Sequence, residues 1–146
     1  MDIQISTRRK IRGLNNLKTK QKLKKVLKDL GCHEGELSIL FTDDAGIAEL
    51  NERYLGRKGP TNVLAFPMSG GPPPDAASGM LGDVVVSLDR AMDESHQSGE
   101  SFIEAVYRLL IHGILHLLNY DHEASSEEAR RMEEEERRLL SMIKEG

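Results

Sequence analysis

At 146 residues, with 38% hydrophobic and 30% charged residues and no Trp, the chain has the size and composition of one globular domain spanning residues 1–146. It lacks an apolar run that could cross a bilayer, since the longest near-apolar stretch, residues 109–118, is broken by His112 and His116. The net charge of -4 is unevenly spread: residues 8–28 carry ten of the 20 Lys and Arg and no acid.

Clustered Lys and Arg either solvate a helix face or meet a polyanion, because they release condensed counterions from a phosphate backbone. The start, Met1-Asp2-Ile3-Gln4-Ile5, has neither the basic residues nor the apolar run of a secretion signal. Cys32 stands alone, which excludes an intramolecular disulfide and a cysteine metal cage. A reducing, cytoplasmic setting is expected, with no membrane and no disulfide partner.

In chain order, Ile3 and Ile5 alternate with polar neighbours and predict a strand over residues 2–7. Leu23, Val26, Leu27 and Leu30 recur at helical spacing, so residues 18–30 read as a helix stopped by Gly31. Leu37, Ile39 and Phe41 share one face of a strand over residues 36–42. Asp43 or Asp44 caps a helix running to about Tyr54, with Ile47, Leu50 and Tyr54 inward. Residues 63–66 form a third strand closed by Pro67, and residues 81–88 a fourth. Between them, residues 68–79 hold three prolines and three glycines, which predicts a surface loop. A short helix covers residues 89–97, and a nearly all-round apolar helix covers residues 101–118, which places it in the core. After a polar turn, Ser125 and Glu128 make a capping box for a last helix carrying Met132, Leu139, Leu140 and Ile143. The expected fold class is α/β, a small mixed sheet of about four strands packed with about five helices.

Three of the five histidines fall in one block, His112-Gly-Ile-Leu-His116-Leu-Leu-Asn-Tyr-Asp-His122. Residues four apart on a helix project from the same side, so His112 and His116 are set to share an ion. His122 follows beyond the helix end, where a chain reversal would return its ring to that ion. Three imidazoles with one open position are the ligand set of a catalytic zinc, one per chain, although nickel and copper also suit them. The zinc site is thus expected on a core helix and the following turn. His33 and His96 stand alone and are not candidates. Gly113 occupies the place of the general-base Glu in the peptidase pattern His-Glu-x-x-His, which disfavours a zinc peptidase. A glycine there also removes bulk beside the metal.

The histidine block resembles the signature His-Gly-x-Leu-His-Leu-x-Gly-Tyr-Asp-His of the YbeY family, the bacterial rRNA-maturation endoribonucleases. Pro60-Thr-Asn-Val-Leu-Ala-Phe-Pro67 and Leu81-Gly82-Asp83 resemble two further blocks of that family, in the same order and spacing from about Ile3 to the last helix. The resemblance implies zinc at His112, His116 and His122. It also implies single-strand-specific cleavage of rRNA, maturation of the 16S 3′ end, a part in ribosome quality control, and the small ribosomal subunit and assembly factors as partners. In two places the chain departs from the pattern. Asn119 stands for a family Gly, a replacement that a left-handed helix end accepts. The family motif Asn-x-x-Tyr-Arg reads Asn51-Glu-Arg-Tyr54-Leu55, so its Arg is missing at Leu55.

Arg57 is the candidate to replace that Arg, as catalytic and substrate-binding residue, with Arg53 the alternative. Lys24 and Lys25 are the substrate-binding candidates of the basic segment. Asp121 and Glu123 are either solvated turn carboxylates or partners for imidazole N–H groups, Asp83 either caps a strand end or supports the site, and Thr61 and Asn62 either shape the start of the third strand or contact the substrate. The expected activity is metal-dependent endoribonuclease. The alternative is a ribosome-associated assembly factor with a mainly structural zinc.

Overall fold

The structure is a computed structural model that describes residues 2–7, 13–32, 35–67, 81–118 and 125–144. Four strands, β1 (Asp2–Thr7), β2 (Glu36–Thr42), β3 (Val63–Pro67) and β4 (Gly82–Ser87), form one sheet in the order β1-β2-β4-β3. β1, β2 and β4 run parallel, and β3 lies antiparallel on the edge. The helices are α1 (Asn16–Asp29), α2 (Asp44–Leu55), α3 (Leu88–Ser98), α4 (Phe102–Leu117) and α5 (Ser126–Lys144). The expected α/β class and mixed sheet are both present.

Strand alternation sends side chains to opposite faces and so divides the apolar residues between two layers. Leu37, Ile39 and Phe41 of β2 and Val84 and Val86 of β4 meet α1, α4 and α5 in the main core. The opposite face carries Leu64 and Val85, which pack on Ile47 of α2 with Leu40, Leu50 and Phe66 around them. Each large side chain withdrawn from water here contributes about 1.5–3 kcal/mol.

Local chemistry sets the helix ends. Asn15, Asp43, Ser87 and Ser101 cap α1 to α4 by accepting from a backbone N–H two or three residues into the helix. At the end of α1, Gly31 adopts φ 87°, its N–H reaches the Lys28 carbonyl and the Cys32 N–H reaches that of Leu27. That pair of bonds closes the helix and tucks Cys32 into the core. At the start of α5, the Glu128 N–H donates to Ser125 Oγ at 3.1 Å.

Tyr54 corrects the sequence reading. It keeps helical register with Ile47, yet it is 61% exposed and rests its ring edge-to-face on Phe66, centroids 5.5 Å apart. β3, which carries Phe66, is an edge strand of the sheet. Asn51, 5% exposed, is the polar residue that the same face of α2 buries.

Candidate metal centre and its cleft

α4 runs through the core and is buried along almost its whole length. A capping box fixes its start, with Glu104 N–H donating to Ser101 Oγ and Ser101 N–H to Glu104 Oε1, both at 3.1 Å. In its second half His112 and His116 are only partly buried, among neighbours that are closed off. Their Nε2 atoms lie 3.0 Å apart, with ring centroids 4.6 Å apart and planes at 73°. Two nitrogens each about 2.0–2.1 Å from a shared ion sit at a similar separation, so the pair suits a cation as well as a direct hydrogen bond. Among the described residues no set of three His, Cys, Asp or Glu side chains gathers for a metal. His122 lies outside the described residues, as do Asp121, Glu123, Asn119, His33 and the loop at residues 68–79.

The other nitrogen of His112 meets a residue that the sequence reading missed. His112 Nδ1 contacts Glu136 Oε1 of α5, and both side chains are mostly shielded from solvent. The signal was in the pattern of α5. Glu136 lies four residues after buried Met132 and three before buried Leu139, so a carboxylate occupies a position on the apolar stripe.

His112 and His116 form one side of a cleft of about 680 Å³, which Arg57, Lys58, Leu55 and Thr61 also line. The segment carrying the two cations is pinned from α2. Gly56 ends that helix at φ 65°, the Arg57 N–H reaches the Asn51 carbonyl at 3.3 Å, and Asn51 Nδ2 donates to the Gly59 carbonyl at 3.0 Å. Asn51 Oδ1 is buried without a hydrogen-bond partner among the described residues. Arg57 therefore shares a cleft with the histidines, whereas Arg53 is exposed and does not line it. Lys24 and Lys25 are exposed on α1; Lys25 borders a separate groove with Lys18, Lys22 and Ile143.

Gly113 serves packing. A Cβ there would lie 2.6 Å from Val84 Cγ1 and 3.2 Å from Val63 Cγ2, so the glycine lets α4 press onto the sheet beside the cleft. Gly113 also lines the cleft with His112 and His116, so its missing side chain leaves room there as well. Asn62 is half-buried and lines the cleft beside Thr61; its Nδ2 donates to Glu94 Oε2 at 3.1 Å, and Glu94 Oε1 accepts from Arg108 at 2.9 Å. Burial alone would lower the Arg108 pKa, but hydrogen bonds donated to Glu100 and Glu94 hold it above its ordinary value. The Asn62 carbonyl, which accepts from the Ser87 N–H, fixes the start of β3. Asp83 is exposed within β4, on the face opposite Val84, and does not line the cleft.

The family model for Endoribonuclease YbeY matches residues 3–144. The chain belongs to the YbeY family. An Endoribonuclease YbeY of Geobacter sulfurreducens is 39% identical over 147 residues, covering 100% of this chain and 98% of that protein. The Endoribonuclease YbeY of Syntrophotalea carbinolica is 44% identical over 122 residues, covering 83% of this chain and 81% of its relative. The solution structure of a Thermotoga maritima protein superposes with a TM-score of 0.67 at 25% identity, covering 97% of this chain and 88% of that one.

Proposed function

We propose that this chain is a single-strand-specific endoribonuclease acting in rRNA maturation, with one zinc ion held by His112, His116 and His122. The observation that carries this reading is the convergence of the His112 and His116 Nε2 atoms at 3.0 Å beside a cleft that also holds Arg57 and Lys58. Membership in a family whose members are named endoribonucleases supports it.

The division of labour follows from the chemistry of the side chains. The neutral imidazoles hold the ion, which supplies Lewis acidity toward a phosphoryl oxygen and an activated water. Arg57, with its planar fork of donors, binds the phosphate and offsets the charge that develops on it, in place of the family Arg missing at Leu55. Lys58 adds a second cation on the same wall of the cleft. Lys24 and Lys25 on α1 guide the RNA backbone from a distance. The small ribosomal subunit and its assembly factors are the expected partners, in the cytoplasm. No helix among the described residues is long and apolar enough to cross a membrane.

A mainly structural zinc, in an assembly factor with little catalysis, is disfavoured, because structural sites are closed by protein ligands on all sides. Here the two imidazoles border a cleft rather than a sealed interior.

The test is incubation of metal-quantified protein with single-stranded and double-stranded RNA, with and without a chelator. One zinc per chain and chelator-sensitive cleavage of the single strand are expected. Cleavage that survives complete metal removal overturns the reading.

A further inference from the structure

We infer that Glu136 is the positioning residue of the metal centre: it holds the His112 proton on Nδ1, leaving Nε2 bare and aimed at His116. The inference rests on the metal reading above and names a residue outside the histidine block.

An ionised Glu only accepts hydrogen bonds, so the ring nitrogen that meets it must be the one bearing hydrogen. His112 Nδ1 contacts Glu136 Oε1, and in a neutral imidazole that leaves Nε2 as the lone-pair nitrogen. This nitrogen is the one that lies 3.0 Å from His116 Nε2. An imidazole binds a metal through such a lone pair, and a carboxylate on its far side fixes the ring's orientation and raises its basicity.

The placement of Glu136 is otherwise hard to account for. It stands on the stripe of α5 that buries Met132, Leu139 and Ile143, where an unpartnered carboxylate is costly. Neighbouring acids pair differently: Glu133 and Glu135 accept from Arg137 and Arg138 of their own helix. Glu136 turns inward to α4 and reaches a residue 24 positions earlier in the chain. α5 thereby contributes to the cleft, although none of its described residues lines it.

The experiment combines zinc competition against a chromophoric chelator with ¹⁵N spectra of the histidine rings, on the full chain. In the parent protein the His112 ring is expected to carry its proton on Nδ1. Glu136→Ala is expected to weaken zinc binding about 10- to 100-fold and to mix the His112 tautomers. Glu136→Gln, whose amide oxygen can accept the same hydrogen bond, is expected to lose less affinity and to retain the Nδ1-protonated form. A parent spectrum with the His112 proton on Nε2 overturns the inference, and so does a Glu136→Ala protein with the affinity and tautomer of the parent. Should Glu136→Ala fail to fold, the parent and Glu136→Gln spectra decide the matter. A parent that takes up no zinc sinks the metal reading instead, while an Nδ1-protonated His112 still upholds the assignment of Glu136.

Discussion

Two grooves among the described residues are rich in positive charge, and they differ in what else they contain. The cleft beside α4 sets Arg57 and Lys58 opposite a pair of imidazoles whose nitrogens converge. The groove between α1 and α5 offers Lys18, Lys22 and Lys25 with an aliphatic floor at Ile143. On the proposed reading the first combines groups for an anion with groups for a metal, the combination that chemistry on a phosphodiester needs. The second has cations without imidazoles or carboxylates among its lining residues, including Lys22 set 5.1 Å from the Tyr107 ring centre, and is suited to attract and hold. Density of charge marks where a polyanion lands, and coordination chemistry marks where it is cut.

The most severe way to break this contrast is His116→Ala. Bound zinc and RNA cleavage are expected to disappear together, measured by elemental analysis and a single-strand cleavage assay, while binding through the α1 groove persists. Next comes Arg57→Ala, expected to lower cleavage on the order of 100-fold, as loss of one transition-state donor does. Arg57 is exposed, so the melting temperature should barely move. Adding Leu55→Arg should restore activity, because Leu55 lines the same cleft and is 47% exposed. If Arg57→Ala cuts RNA at the parent rate, the cation of the cleft has been misassigned.

Gly113→Ala separates packing from chemistry. The clash with Val84 is expected to cost about 1–3 kcal/mol in denaturant unfolding, as overpacked cores do. Changing Lys18, Lys22 and Lys25 together to Ala tests the second groove. For every phosphate that is no longer neutralised, the salt dependence of single-strand binding should flatten by about 0.7 in log–log slope, with kcat unchanged.

The smallest effect concerns acid. Lys144 and Ser101, by hydrogen bonding, hold the Glu104 carboxyl down at about 2 from 4.5. A carboxyl with a lowered folded-state pKa stabilises the fold above the ordinary value and loses that contribution as pH falls through the lowered one. Lys144→Met should therefore be slightly less stable than the parent at pH 7, and the gap should close as pH falls from 4.5 through about 2. A gap independent of pH would assign the effect to something other than this ion pair.

Much of the molecule was legible in the chain. Hydrophobic patterning and turn residues located the described strands and helices, because amphipathic elements must bury one face, and Asp43 and Ser125 declared two of the helix starts. The His112 and His116 pairing was equally readable, since spacing of four on a helix is a geometric fact. Tyr54 was misread because periodicity marks a face of a helix but not whether anything covers that face at the last turn. That Gly113 also serves packing was not readable, because the Val84 side chain a Cβ would meet lies far away in sequence.

By itself the sequence determined the elements, the α/β class and the paired imidazoles, all of which depend on neighbours along the chain. Only the tertiary structure decided that Arg57 shares the histidine cleft, that Lys25 does not, and that Glu136 stands behind His112. Those relations join elements brought together when α4 and α5 bury their apolar faces in one core. No local period records which side chains meet across such an interface.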